Sequence, residues 1–236
     1  MILLRSTLFN AWFFGLTTVL SLFGVGIRWF APHRALDLAK LWARLTLAAA
    51  RRICGIELVV IGREHLPQGG PALIASQHQS AYDTMVWLTL LPHPSYVLKR
   101  ELTRIPLFGP LMIPSGMIPL DRGAGAGAVR ALLRASASAL AQGRQVVIFP
   151  EGTRVRPGEV RPLQPGIAAV AARAGLPVIP VATDSGHRWG RRAFRKYPGP
   201  IHMVVLPPIP AGLPREALMA RLAAALLERP GLRPKR

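Results

Sequence analysis

Residues 72–88, ALIASQHQSAYDTMVWL, decide the fold of this chain. The apolar run 72–75 predicts a short buried strand. Ser80 and Asp83 form a Ser-x-x-Asp capping box ahead of four apolar residues, which predicts a helix that begins after Ser80 and has Asp83 in its first turn. His78 then lies in the loop between strand and helix, from which its ring can fold back onto the Asp83 carboxylate.

The residues His78 and Asp83 have two interpretations. A carboxylate that holds one imidazole nitrogen fixes the tautomer and leaves the other nitrogen free to take a proton from a hydroxyl, which is half of an acyl-transfer site. Alternatively, Asp83 only caps the helix and His78 is an ordinary loop histidine. This stretch by itself leaves both interpretations open.

Composition indicates an anionic partner and a membrane connection. Half of the 236 residues (50%) are hydrophobic, and 30 Lys and Arg against 11 Asp and Glu give a formal net charge of +19. That charge favours lipid headgroups, phosphorylated substrates, an acidic carrier protein or nucleic acid, without choosing among them. The single Cys54 excludes an intrachain disulfide, and the six histidines show no metal-ligand spacing, so we predict no metal.

The N-terminal region predicts two helices near a membrane. Residues 6–27 carry no charge, and a helix of that length reaches about 33 Å, enough for a bilayer core of roughly 30 Å. Its polar and glycine residues weaken the case for a full span. Residues 34–53 predict a basic amphipathic helix that lies in the headgroup layer, packs against the rest of the protein, or does both. Basic residues mostly follow the apolar run, which places the main domain on the cytoplasmic side.

The rest of the chain alternates strand-like and helix-like runs, which predicts an α/β domain with a central mixed or parallel sheet covered by helices. The chain divides into a membrane-associated helix pair at 1–54, a main domain at 55–228 and a basic tail at 229–236. Strands are predicted at 57–61, 72–75, 96–98, 117–120, 145–149, 178–182 and 202–206. Helices are predicted at 81–90, 127–141, 166–174 and 215–227.

Five sequence blocks occur in an order that resembles the glycerolipid acyltransferase family, and most closely its bacterial members that acylate 1-acylglycerol 3-phosphate. They are His78-x4-Asp83, 99–102 (KREL) with 106–109 (PLFG), 118–122 (IPLDR), 149–154 (FPEGTR) and 178–182 (VIPVA). The resemblance covers roughly residues 72–204. It implies that the main domain is an acyltransferase catalytic domain.

The resemblance implies acyl transfer from a thioester, acyl-CoA or acyl carrier protein, to the sn-2 hydroxyl of 1-acylglycerol 3-phosphate, which gives phosphatidic acid. It implies no cofactor beyond this co-substrate, and a place at the bacterial cytoplasmic membrane. His78 would take the hydroxyl proton while Asp83 orients the ring. Backbone amides at the start of the helix after His78 are the expected oxyanion donors.

Acceptor binding is the role that the resemblance carries onto the block after the strand 145–149. An arginine fork there can hold phosphate oxygens, although a glutamate beside an arginine is more often a solvated ion pair. Further phosphate ligands are expected at Arg122 and Lys99, and residues 106–109 are expected to shape the acyl-chain wall. The four residues of the acceptor block are Glu151, Gly152, Thr153 and Arg154.

Residues 188–197 place five basic and three aromatic residues in ten positions. Such a segment can bind single-stranded nucleic acid or lie at an anionic membrane surface, and the apolar N-terminal helix favours the membrane. No nucleic-acid partner is therefore expected. Other functions remain open: acyl transfer to another lyso-lipid such as a lyso-ornithine lipid, a membrane-bound hydrolase using Ser76 or Ser80, which lack the Gly-x-Ser-x-Gly context, and a membrane-tethered nucleic-acid binder.

Overall fold

The computed structural model describes residues 1–228, so the predicted basic tail at 229–236 lies outside the described residues. All of the predicted helices and strands are present, with ends that differ from the prediction by a few residues. The helices are α1 (Ile2–Phe30), α2 (Ala35–Cys54), α3 (Ala81–Leu90), α4 (Ala126–Ala141), α5 (Gly166–Ala174) and α6 (Arg215–Glu228). The strands are β1 (Ile56–Ile61), β2 (Ala72–Ser76), β3 (Pro94–Lys99), β4 (Ile118–Leu120), β5 (Gln145–Ile148), β6 (Val178–Thr183) and β7 (Gly199–Val205).

One seven-stranded sheet has the order β1-β7-β6-β2-β5-β3-β4, with β2 at its centre. The five strands from β6 to β4 are parallel, while β7 runs antiparallel to β6 and parallel to β1. The predicted mixed α/β fold is therefore confirmed. Because the carboxyl ends of parallel strands share one edge, the loops that follow β2, β3, β4, β5 and β6 meet there.

Two hydrophobic clusters, one on each face of the sheet, make up the core. Neighbouring residues of one strand enter different clusters: Ile74 packs with α2 and α3, while Leu73 and Ala75 pack with α4, α5 and α6. This alternation follows from the two-residue period of a strand. The parallel strands are buried on both faces, which explains why their sequences read as nearly continuous apolar runs.

Helix α2 packs into the core of the main domain. Its residues Trp42, Ala43 and Cys54 belong to the same buried cluster as Ile56 of β1, whereas its arginines face outward. The predicted packing of this helix against the domain is thus confirmed. Its predicted contact with lipid headgroups stays a prediction.

Helix α1 is long and apolar enough to cross a membrane, with a mean hydropathy of 1.6 and 17% of its most apolar window buried. Ser6, Phe9, Ser21 and Gly24 face the domain, and most of the other side chains, including Phe30 at 90% exposure, do not. An exposed apolar face of this kind is evidence, though weak by itself, of membrane association.

Several polar residues of α1 face the protein. The Ser6 hydroxyl accepts a hydrogen bond from the Lys196 amide at 2.9 Å, and Asn10 Oδ1 accepts one from Lys196 Nζ at 2.6 Å. Thr17 Oγ1 accepts one from Trp42 Nε1 at 2.9 Å. These three residues therefore attach α1 to the domain, and the outer face of the helix is mostly apolar.

Part of the segment 188–197 lies inside the protein. Trp189 is 7% exposed and Lys196 is 3% exposed, and the Lys196 ammonium lies 5.0 Å from the centre of the Trp189 ring. Their expected position at a membrane surface is wrong, because both residues hold α1 against the domain. Phe194 and Tyr197 remain exposed.

Candidate active site

The loop between β2 and α3 has the conformation that the capping box predicts. The Ser80 hydroxyl accepts a hydrogen bond from the Tyr82 amide at 3.1 Å, and the Asp83 carboxylate accepts one from the Ser80 amide at 2.8 Å. Helix α3 consequently begins at Ala81, and Asp83 lies in its first turn with its side chain directed back toward the loop.

His78 and Asp83 form the predicted pair. His78 Nδ1 lies 3.0 Å from Asp83 Oδ2, and the side chains are 14% and 1% exposed. The imidazole ring stacks on Phe149, with 4.2 Å between the ring centres and 26° between the planes. Within residues 1–228, Nε2 of His78 has no hydrogen-bond partner, so this nitrogen can accept a proton from a bound molecule.

The Asp83 carboxylate has both functions that the sequence left open. Its Oδ2 atom also accepts hydrogen bonds from the amides of Gln79 and Ser80, each at 2.8 Å. The same oxygen therefore caps α3 and orients His78. The prediction that the first amides after His78 serve as oxyanion donors is wrong for Gln79, Ser80 and Tyr82, since all three donate to protein oxygens.

The block 149–154 follows β5, which pairs in parallel with β2, so it lies beside the His78 loop. The Val155 amide donates to the His78 carbonyl at 2.8 Å, and Glu151 Oε1 accepts a long hydrogen bond from the His78 amide at 3.4 Å. These two contacts hold the His78 backbone from both sides.

Glu151 is buried beneath the His78 loop, with 7% exposure, and its Oε2 atom has no hydrogen-bond partner in the described part of the chain. Burial raises the pKa of Glu151 to about 7, and the nearby Asp83 carboxylate adds to the increase. The alternative of a solvated ion pair with Arg154 is therefore wrong.

Arg122, which follows β4, lies near Gly152 of this block, and Arg154 is the last residue of the block. Gly152 has φ of 70°, a left-handed conformation that favours glycine, and a side-chain carbon there would lie 4.0 Å from Arg122 Nη1. Burial lowers the pKa of both guanidinium groups, and the charge of Asp83 acts on Arg154. Arg154 is thus half-buried and Arg122 exposed at the same end of the sheet as His78, and Thr153 beside Arg154 is half-buried as well.

Lys99, another predicted ligand, is the last residue of β3 and lies at the same edge of the sheet. Its ammonium pairs with Glu101 at 2.9 Å, and both side chains are more than half exposed. No contact joins Lys99 to the His78 loop in the described residues. Its role in substrate binding therefore stays a prediction.

Two buried glutamines, one on either side of His78, fix the loop from the other side. Gln77 Oε1 accepts a hydrogen bond from the Thr183 amide at 3.2 Å, and Gln79 Oε1 accepts one from the Gly186 amide at 3.1 Å. Both side chains are buried. Their positions on either side of His78 could have indicated a role in the site. The sequence did not indicate their partners, which lie more than a hundred residues further along the chain.

The Acyltransferase family model matches residues 57–184, which is more than half of the chain. The chain belongs to the acyltransferase family. The match includes the His78–Asp83 pair and the whole 149–154 block, so the resemblance drawn from the sequence blocks is confirmed at the level of the family.

Several acyltransferases are similar to this chain. The 1-acyl-sn-glycerol-3-phosphate acyltransferase of Pseudomonas aeruginosa is 37% identical over 166 residues, which cover 70% of this chain and 64% of that protein. The 1-acyl-sn-glycerol-3-phosphate acyltransferase alpha of Mus musculus is 31% identical over 169 residues, which cover 70% of this chain and 59% of that protein. The chain thus spans less than two thirds of the length of these relatives.

The fold is also that of a solved acyltransferase. The crystal structure of PlsC, the 1-acyl-sn-glycerophosphate (LPA) acyltransferase from Thermotoga maritima, matches with a TM-score of 0.77 and 21% identity. The superposition covers 99% of this chain and 100% of that chain, so it includes the two N-terminal helices.

This acyltransferase also has an apolar cavity of about 40 Å³ between α1, α2, α3, β3 and residues 108–117. Phe108, from the predicted acyl-chain wall at 106–109, is one of its lining residues. The cavity reaches Leu88, five residues along α3 from Asp83, which corresponds to about 7.5 Å of helix. The other lining residues are Thr17, Leu20, Ser21, Ala35, Leu38, Ala39, Trp42, Tyr96, Leu111, Met112, Ser115 and Met117.

Proposed function

We propose that this acyltransferase transfers an acyl chain from an acyl thioester to the sn-2 hydroxyl of 1-acylglycerol 3-phosphate and so produces phosphatidic acid. The observation that carries the proposal is the His78–Asp83 pair, whose open His78 Nε2 atom lies at the same end of the sheet as Arg122 and Arg154. The printed names of similar proteins support the choice of acceptor.

In this reaction His78 acts as a general base toward the acceptor. The hydroxyl is a weak nucleophile near neutral pH, so His78 Nε2 removes its proton as the oxygen attacks the thioester carbonyl. Asp83 keeps the proton of the ring on Nδ1 and stabilises the imidazolium that forms. The carbon–sulfur bond breaks as the ester bond forms, and the thiolate receives the proton. Because a thiol with a reference pKa near 8.5 leaves readily, no covalent acyl-enzyme is required.

The structure offers suitable residues for the acceptor phosphate, for the acyl chain and for the donor. Arg122 and Arg154 supply donors for the acceptor phosphate, and neither belongs to an ion pair among residues 1–228. The apolar cavity beside α3 has the lining expected of a site for an acyl chain. Lys99 lies at the same edge of the sheet, where it would meet an acyl-CoA or an acyl carrier protein as donor.

The protein would act at the cytoplasmic face of the bacterial inner membrane. The exposed apolar face of α1 enters the lipid, and the surplus of positive charge favours contact with anionic headgroups. The acceptor remains in the bilayer during the reaction. The membrane helices would therefore keep the active site at the surface from which this lipid is taken.

The test is release of free thiol from acyl-CoA, and separately from acyl carrier protein, with and without 1-acylglycerol 3-phosphate in micelles. We expect release that depends on the acceptor in the wild type and in His93→Ala, a control at an exposed histidine, and its loss in His78→Ala. Release without any acceptor would indicate a hydrolase instead. Release only with a lyso-ornithine lipid would show that the proposed acceptor is wrong, while the proposed role of His78 as general base would stand.

A further inference from the structure

Residues 188–197 bring two further arginines to Arg154. The Arg191 guanidinium donates a hydrogen bond from Nη1 to the backbone carbonyl of Arg154 at 3.4 Å. Arg192 follows with φ of 56°, in the left-handed region that residues other than glycine rarely adopt. Backbone strain of this kind persists where the surrounding fold holds it in place, and it is concentrated at functional sites.

The three guanidinium groups lack a protein counter-charge of their own. None of the ion pairs formed within residues 1–228 includes Arg154, Arg191 or Arg192. The pKa of Arg154 is lowered by burial and by the charges of Arg191 and Arg192, while Asp83 alone acts in the opposite direction. Asp83 is already bound to His78. Three positive charges near one negative charge leave a local excess that a doubly charged anion would neutralise.

We propose that Arg191 and Arg192 complete, together with Arg154, a binding site for a dianionic phosphate monoester, and that this site selects the headgroup of the acceptor. The inference rests on the proposed function and adds to it two arginines that select the acceptor by its headgroup. A phosphate monoester carries a charge of about −1.5 to −2 at pH 7, with three acceptor oxygens for guanidinium forks. A phosphodiester or zwitterionic headgroup offers less charge and fewer terminal oxygens, so it matches the cluster less well.

The first experiment compares acceptors and donor in steady-state kinetics. The variants are Arg191→Gln and Arg192→Asn, in which asparagine tolerates the left-handed backbone. The control is Arg195→Gln, an exposed arginine of the same segment. We expect kcat/KM for 1-acylglycerol 3-phosphate to fall about 10- to 100-fold in the two variants, as for loss of a charged hydrogen bond. In the same variants, kcat/KM for lysophosphatidylglycerol, a phosphodiester, and the KM for acyl-CoA should stay within about 3-fold of the wild-type values. The control variant should show the same small changes with all three substrates.

The second experiment measures binding of a phosphate monoester without catalysis. Glycerol 3-phosphate, added to the detergent-solubilised protein without donor, is expected to raise the Tm of the wild type and of Arg195→Gln. The same addition should leave the Tm of Arg191→Gln unchanged. Each variant is first compared with the wild type without ligand, so that any loss of folding is recognised.

The results separate this inference from the proposed function. If 1-acylglycerol 3-phosphate is not acylated but glycerol 3-phosphate stabilises the protein through Arg191, the proposed function fails and the monoester site remains. If the variants raise the KM for acyl-CoA instead, the cluster binds the 3′-phosphate of the donor and the inference is overturned. Equal losses with monoester and diester acceptors would also overturn it.

Discussion

Replacing Glu151 by glutamine tests whether the buried carboxyl beneath the His78 loop carries a proton near neutral pH. Burial raises the pKa of Glu151 to about 7 from an ordinary value of 4.5. Between these two values the folded protein keeps the proton that the unfolded chain has released. The stabilisation associated with the protonated carboxyl is therefore complete below the lower value and is lost as the pH rises toward the upper one.

The size of the effect follows from the difference between the two pKa values. At about 1.4 kcal/mol per pKa unit, the ionised carboxyl costs the folded state about 3 kcal/mol. About 2.5 kcal/mol of this appears between pH 5 and pH 8. Glutamine keeps an oxygen that can accept the His78 amide hydrogen bond but does not ionise. Relative to wild type, Glu151→Gln should therefore gain about 5 to 10 °C in Tm from pH 5 to pH 8 for a chain of this size.

Thermal unfolding followed by tryptophan fluorescence, in one detergent at several pH values from 5 to 8, measures this difference. Glu64→Gln provides the control, because that carboxylate is 74% exposed and its removal leaves no buried group unpaired. The Tm difference between wild type and Glu64→Gln should remain nearly constant. A constant difference for Glu151→Gln as well would refute the reasoning, since the Glu151 carboxyl would then be ionised in the folded protein without cost.

Three other substitutions have expected outcomes. Asp83→Asn removes the charge that orients His78, so acceptor-dependent thiol release should fall by about 10³- to 10⁴-fold, with the Tm measured as a check on folding. Asn10→Leu deprives the buried Lys196 ammonium of an acceptor and should lower stability by about 1 to 3 kcal/mol in denaturant unfolding, whereas Thr18→Leu, on the exposed face of α1, should not. Ala39→Phe fills part of the apolar cavity, so kcat/KM should fall about tenfold or more for long-chain but not short-chain acyl-CoA, and an equal loss for both would contradict a role in holding the acyl chain.

The sequence predicted the features of this acyltransferase that depend on neighbouring residues. The capping box of Ser80 and Asp83 lies within four positions, and its hydrogen bonds direct the Asp83 carboxylate toward His78. The strands could also be predicted, because parallel strands buried on both faces appear in the sequence as apolar runs. The sequence identified the five family blocks separately. In the fold, they lie together because the parallel strands that precede or contain them end at one edge of the sheet.

Features that depend on distant contacts could not be predicted in the same way. Glu151 resembles a surface residue beside an arginine, and only the parallel pairing of β5 with β2 places it beneath the His78 backbone. The buried position of Lys196 depends on α1, 186 residues earlier in the chain, through Asn10. Composition alone indicated a surface position for both residues, since buried charged residues are uncommon.

The same distant contacts explain why α1 contains polar residues, which the sequence alone did not. A helix that crosses a membrane alone would be weakened by Ser6 and Asn10, but both bind Lys196, and the ring of Trp189 packs between Phe9 of α1 and Tyr82 of α3.

Tyr82 directly precedes Asp83, so the docked N-terminal part of α1 is connected by continuous packing to the helix turn that holds the His78 partner. Further along, Thr17, Leu20 and Ser21 of α1 help to line the apolar cavity. The helix with the exposed apolar face therefore also supports the active-site helix and forms a wall of the cavity. In the proposed reaction, one element would thus join the membrane, the acyl chain and the catalytic pair.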